Sequence, residues 1–170
     1  MSYIVELKAL TMLQTAELTR DMETRHLKKL ASMASEVEFS EGEVIYQKGD
    51  MGRAIYLIEK GQVVVEMTVP DQGQVTINTF GPGQFFGWSS LFPSERKMAW
   101  TRAVQPTRAI AINASRLKAA CQFDHNLEYA IVRRASRAMA DRILAIRRQL
   151  SRERYVATGL LPDVFHPREP

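Results

Sequence analysis

Eight of the nine glycines lie between Glu36 and Asn113, and the long stretches on either side of that block have almost none. Glycine weakens helices and serves turns that need positive φ, so this partition divides the chain before any periodicity is counted. Within the block, short runs rich in Val, Ile, Phe, Tyr and Thr alternate with turns. They are Glu36–Phe39, Val44–Gln47, Ala54–Glu59, Gln62–Val69, Gln74–Phe80, Ala99–Val104 and Arg108–Ile112. Seven or eight short strands at this spacing predict an all-β sandwich or barrel. Val69-Pro70-Asp71-Gln72-Gly73, set between two alternating runs, predicts a hairpin turn.

The flanks read as helices. Ala9 to Ser35 contains neither Gly nor Pro, and Leu27, Leu30, Ala31 and Ala34 fall at helical spacing. We expect a helical arm over residues 1–22, then a helix from Glu23 to Met33. Beyond the block, Ser115 to Phe123 predicts a short helix. Asp124 to Arg154 lacks Gly and Pro and allows one helix of roughly 45 Å. Asp124 is placed to cap it, with Glu128 of the correct sign for the dipole. Its apolar stripe is Leu127, Ile131, Ala135, Met139, Ile143, Ile146 and Leu150. One small barrel cannot cover a stripe that long, so part of it is expected to meet a partner helix. From Val156 onward, Gly159 and three prolines predict an irregular tail. The expected organisation is thus an arm over 1–22, a domain over 23–155 with a long helix over 124–155, and a tail over 156–170.

Composition narrows the function classes. Hydrophobic residues are 45% and charged residues 25% of the 170, as in an ordinary globular domain. Cys121 is the only cysteine, so no internal disulfide forms and a reducing cytoplasm is expected. No apolar run approaches the ~18 residues of a membrane span, and Met1 to Leu10 lacks a signal-peptide core. The net charge is +4. Between Asn126 and Tyr155 eight arginines face Glu128, Asp141 and Glu153, so the long helix carries +5 and the remainder about −1. Those arginines are Arg133, Arg134, Arg137, Arg142, Arg147, Arg148, Arg152 and Arg154. They read as a solvated face or as partners for acids across a dimer, ahead of non-specific phosphate contact. His26, His125 and His166 all lie outside the strand block and read as surface or helix-end residues, so no metal centre is expected. Cys121 reads as a buried, inert thiol among Ala119, Ala120 and Phe123. No nucleotide fingerprint or nucleophile elbow appears. No catalytic residue is assigned.

One ordered set of residues carries a resemblance. Phe39-x-x-Gly42-Glu43-x-Ile45, Gly49-Asp50, Ile55-Tyr56-Leu57-Ile58 and Gly61-x-Val63 closely resemble the cyclic-nucleotide-binding domain of the catabolite-activator family. Gly81-Pro82-Gly83-Gln84-Phe85-Phe86-Gly87, then Leu91, Ala99 and Ala103, resemble that family's phosphate-binding cassette. The resemblance covers about Leu27 to Leu150. It implies a mainly β fold with flanking helices: a double-stranded β-helix jelly-roll barrel followed by a long C-terminal dimerisation helix. It also implies cAMP or cGMP, or another small anion, as a bound effector. In the first block the glycines hold the barrel together, and Asp50 is suited to bond back to the main chain. In the second, Gly83 and Gly87 flank a single turn, Trp88-Ser89-Ser90-Leu91, whose amides suit an anion. Ser89 and Ser90 could add hydroxyl donors, and the implied site extends over Gly83, Phe85, Phe86 and Gly87 through Ala99.

The cassette departs from the family at three positions. Trp88 stands where the family has a glutamate that accepts from the ribose hydroxyl, and an indole has no acceptor. Counting back from Ala99, Lys97 stands at the family arginine and Met98 at the Ser or Thr. Lysine keeps the charge without the bidentate fork, methionine offers an anion nothing, and Arg96 could substitute only if the turn rearranges. Trp88 either fills or covers apolar surface or stacks on a flat ligand; the Gly-Trp-Ser variant also resembles a bacterial subset of the family. On the long helix the resemblance brings Ile143, Ile146 and Arg147 toward the ligand, although a solvated arginine is the simpler reading.

Two functions follow as expectations. The first is a stand-alone ligand-sensing regulatory domain that dimerises through Asn126–Leu150 and signals through that helix to a protein partner. The second is a degenerate module that binds no nucleotide and serves structure or dimerisation. Family activators bind DNA through a helix-turn-helix of roughly 60 residues beyond this helix. Only 15 residues follow Tyr155, so sequence-specific DNA binding through that module is not expected of this chain, nor is a membrane partner.

Overall fold

The chain folds in the order α1 (Tyr3–Thr15), α2 (Thr24–Ala31), β1 (Ala34–Phe39), β2 (Val44–Tyr46), β3 (Ala54–Lys60), β4 (Val63–Val69), β5 (Gly73–Phe80) and β6 (Phe85–Phe86). A 3-10 turn over Trp88–Leu91 leads to β7 (Trp100–Ala103), β8 (Thr107–Asn113), α3 (Ala114–Phe123) and α4 (His125–Thr158). This computed structural model describes residues 3–71, 73–91 and 96–158, with α4 side chains described to 141 and at 143, 144 and 147. The tail expected beyond 158 lies outside the described residues. Two compact units are formed, residues 1–135 and residues 136–170.

Two antiparallel four-stranded sheets, ordered β1-β8-β3-β6 and β2-β7-β4-β5, make the jelly roll that the resemblance implied, within the sandwich-or-barrel class that the strand spacing predicted. Side chains alternate across a strand, and β3 shows what that alternation does here. Tyr56 and Ile58 join Val63, Val65, Phe80 and Phe86 in the core cluster drawn from both sheets. Ile55 and Leu57 point the other way and are also buried, paired in register with Ile112 and Ile110 on β8. The helical layer supplies Leu13, Leu30, Leu117 and Leu127, all buried. The β4–β5 hairpin closes with Val69 opposite Gly73, and Asp71 takes φ 64°. The two-residue strand β6 is too short to show alternation in the sequence, and only its pairing with Tyr56 and Leu57 reveals it.

The α3 start rests on a local cap. The Asn113 side chain accepts the Arg116 N–H at 2.9 Å, satisfying one of the amides a helix start leaves unpaired. Asn113→Ala is expected to cost about 1 kcal/mol, read as a lower urea midpoint at unchanged slope. An unchanged midpoint would remove the cap from the stability account.

Three details differ from the sequence reading. His26 is buried, 3% exposed, because α2 turns it toward the start of α4, where its Nε2 lies 3.7 Å from Asp124 Oδ2. Cys121 is half-buried rather than buried: it follows Leu117 by one turn on the same face, at the helix end where cover runs out. Burial still pushes its thiol pKa up. Phe123, expected among the apolar neighbours of that thiol, is 90% exposed. The α4 cap is as expected, since Asp124 Oδ1 accepts the Leu127 N–H at 3.0 Å, and that bond holds the carboxyl below its usual range. On α4, Leu127, Ile131 and Ala135 are buried, whereas Ile143 is exposed.

Candidate functional site

The β5–β6 turn and the β6–β7 connection build the site. Gly83 takes φ +79° and donates its N–H to the Ile58 carbonyl at 2.8 Å, which aligns β6 on β3. Phe85 and Phe86 are buried, and Phe86 stacks on Tyr56 with ring centroids 4.8 Å apart. Gly87 takes φ +87°, and a Cβ there would lie 2.9 Å from the Ala54 carbonyl oxygen. Only glycine accepts both that conformation and that approach. The chain then makes its single turn, with Ser90 N–H donating to the Gly87 carbonyl at 3.0 Å.

Lys97 sits at the centre. It is 3% exposed, and its ammonium donates to Ser89 Oγ at 2.9 Å, Ser90 Oγ at 2.8 Å and the Gly87 carbonyl at 3.4 Å. It also lies 4.4 Å from the Tyr46 ring centroid, within cation–π range. Burial lowers its pKa to about 8, and no carboxylate contributes to offset that cost. Both serine hydroxyls therefore accept from Lys97, which leaves the Ser89 O–H free of that contact to serve as the donor the sequence suggested. Ser90 Oγ in turn donates to the Ala54 carbonyl at 2.9 Å.

Lys97 also lines a cavity of about 290 Å³, with Ile45, Tyr46, Asp50, Arg53 and Tyr56 on its wall. Asp50 bonds to the main chain as expected: its Oδ2 accepts the Gln47 N–H at 2.9 Å. Tyr46 and Arg53 were not legible as site residues, because neither stands in the cassette and each reaches the cavity only through barrel register. Trp88 is not on this wall. It is buried beside Phe85 at 5.4 Å between ring centroids, with its indole N–H unpartnered among the described residues. The apolar-surface reading of Trp88 fits this placement.

The remaining cassette residues separate. Arg96 does not line the cavity and donates Nη1–H to the Gly49 carbonyl at 2.8 Å. Met98 is 69% exposed, Ala99 packs partly buried against the core cluster, and Leu91 is half-buried. Ile143 and Arg147 lie on α4 in the second unit; the Ile146 side chain is outside the described residues. Among the described residues, no group of His, Cys, Asp and Glu could hold a metal ion, and no helix is long and apolar enough to cross a membrane.

Fold and site together define a jelly roll with a buried cation beside a small cavity. The sequence pattern of the cyclic nucleotide-binding domain matches residues 36–124, and the chain belongs to that family. It is 27% identical over 112 residues to the cAMP-dependent protein kinase regulatory subunit of Dictyostelium discoideum, covering 64% of this chain and 34% of that one. It is 32% identical over 74 residues to the cyclic AMP receptor protein of Thermus thermophilus, covering 44% and 34%. The chain thus spans about a third of the length of these two relatives. Its fold resembles the regulatory subunit of a cAMP-independent protein kinase A from Trypanosoma brucei, with TM-score 0.68, 18% identity and coverage of 79% and 47%.

Proposed function

We propose that the chain senses a small anionic ligand, cAMP or cGMP first among candidates, in the cavity beside Lys97, and signals through α4. The observation that carries this reading is the buried Lys97 ammonium, which has three neutral oxygens around it and no carboxylate. A buried cation costs free energy unless an anion meets it, and the cavity gives one access. The names of the Dictyostelium and Thermus relatives point to cAMP. The Trypanosoma neighbour is cAMP-independent by name, so the fold does not fix the ligand. Calorimetry with each cyclic nucleotide is expected to show saturable heat. No heat at millimolar ligand would reject nucleotide sensing and leave the degenerate module, which draws on Trp88 and Met98 at the family's Glu and Ser or Thr positions.

Output is proposed to run through a homodimer to a protein partner. Tyr129, Val132 and Ile143 are exposed large apolar residues on α4 at spacings compatible with a helix–helix seam. Light scattering at micromolar concentration is expected to give twice the 19.3 kDa chain mass, and Ile143→Asp to shift it toward the monomer. A monomeric parent protein would remove this mode of output.

A further inference from the structure

Lys97 supplies charge without a planar fork, yet a phosphate ester presents two or more oxygens that a fork recognises best. Two guanidinium groups lie close in the chain to this site. Arg96 donates to the Gly49 carbonyl and is not on the cavity wall. Arg53, in the β2–β3 connection, is exposed and lines the same cavity as Lys97, and its guanidinium has no hydrogen bond or ion pair among the described residues.

Its placement is fixed by its neighbours. A Cβ on Gly52 would lie 2.6 Å from Ser90 Cα, so the backbone before Arg53 rests directly on the cassette. The Ala54 carbonyl, just after it, accepts Ser90 Oγ–H at 2.9 Å. That same Oγ accepts from Lys97 at 2.8 Å. One serine therefore anchors the backbone on both sides of Arg53 and also holds Lys97, so the two cations line one cavity from segments tied to the same residue. Asp50 is the carboxylate on this wall. In formal charge, Lys97 and Arg53 outnumber Asp50 and leave the wall net positive.

We propose that Arg53 is a ligand-binding residue, and that it provides, from the β2–β3 connection, the bidentate contact to an anionic phosphate ester that Lys97 cannot make. The inference rests on the anion-sensing reading above. The ligand class is a phosphate mono- or diester small enough for about 290 Å³ at its anionic end. Charge-assisted bonds of this kind are worth about tenfold to a hundredfold in affinity.

The test uses the full chain with cAMP, cGMP and inorganic phosphate as probes, calorimetry for affinity, and the NMR signal of Arg53 Nε–H for contact. Arg53 is exposed, so Arg53→Ala and Arg53→Lys are expected to melt like the parent. Both are expected to weaken binding about tenfold to a hundredfold, and the Nε–H signal to move with the same midpoint as the heat. Full affinity in Arg53→Ala overturns the contact while leaving the sensing reading in place. Full affinity in Arg53→Lys overturns the fork, since a point charge would then suffice. Movement of the Nε–H signal with phosphate but not with either nucleotide supports Arg53 and rejects the cyclic-nucleotide reading. If none of the three probes moves it, the proposal fails.

Discussion

Replacing Lys97 by methionine is expected to weaken anion binding about tenfold to a hundredfold and, at pH 7, to raise the melting temperature. Both effects come from one buried ammonium. Its pKa falls to about 8 because burial penalises the charged form and no carboxylate offsets it. In the unfolded chain the same group titrates near 10.5. Below pH 8 it is charged in both states, so the folded protein carries the whole desolvation cost. Between pH 8 and 10.5 the unfolded state binds more protons than the folded one, and stability rises with pH. Methionine is unbranched and close in volume, so it fills the same channel without that cost. The substitution strips a donor from Ser89, Ser90 and Gly87, but Ser90 keeps its bond to Ala54 and Ser89 is only partly buried. The stabilising effect should be full below pH 8 and shrink as pH rises toward 10.5, followed by thermal melts across that range. A constant offset at all pH values would show that the cation is not what the variant relieves.

Ligand affinity should move with the same proton. An anion beside Lys97 favours the ammonium, so binding takes up protons above pH 8, and affinity should fall there by up to about tenfold per unit. In Lys97→Met the loss should reach about tenfold to a hundredfold at pH 7, the value of a charge-assisted bond. Stability and binding thus move in opposite directions on one substitution. That opposition is the mark of a residue kept for its ligand, since an ammonium retained only for packing would lose both.

What the sequence revealed about this site follows the range of each interaction. The barrel was legible because period-two runs and turn glycines act locally: Asp50 bonding to Gln47 is a contact three residues long. Lys97 could be placed by counting back from Ala99. Its surroundings could not, because the oxygens it meets belong to a separate turn and the ring it overlies to β2. Trp88 shows the same limit. Its lack of an acceptor was readable from its chemistry, but whether its indole would block the cavity depended on packing against Phe85. The burial of His26 escapes the sequence because a histidine in an eight-residue helix gives no sign that the far end of the chain, at Asp124, will cover it. Arg53 carried no signal in the sequence: its significance lies in a guanidinium on a cavity wall without a hydrogen bond or ion pair among the described residues, and both are properties of the folded state.

Gly52→Ala is expected to damage binding and stability together. At most glycines of this barrel a positive φ explains the residue, but Gly52 is required by contact alone. An added Cβ would stand 2.5 Å from Ser90 Oγ, 2.6 Å from Ser90 Cα and 2.8 Å from Ser90 Cβ. The second of these is backbone and cannot rotate away. The β2–β3 connection is otherwise tied to the cassette by the Gly49 N–H to the Lys97 carbonyl and the Lys97 N–H to the Asp50 carbonyl, both at 2.8 Å. One methyl group must therefore separate two segments held at several points, or push Ser90 off both Ala54 and Lys97. Overpacking of this kind costs about 1–3 kcal/mol, and loss of the buried Ser90 contacts adds about 1 kcal/mol or more. Denaturant melts should show the lowered midpoint. The more telling measurement is ligand affinity at a temperature where the variant remains folded. Displacing Ser90 separates Lys97 from Arg53, so affinity should fall by at least the roughly tenfold expected of losing either cation. A variant that is destabilised yet binds like the parent would show that the Ser90 anchor serves only the barrel, and that the two cations do not depend on it for their alignment.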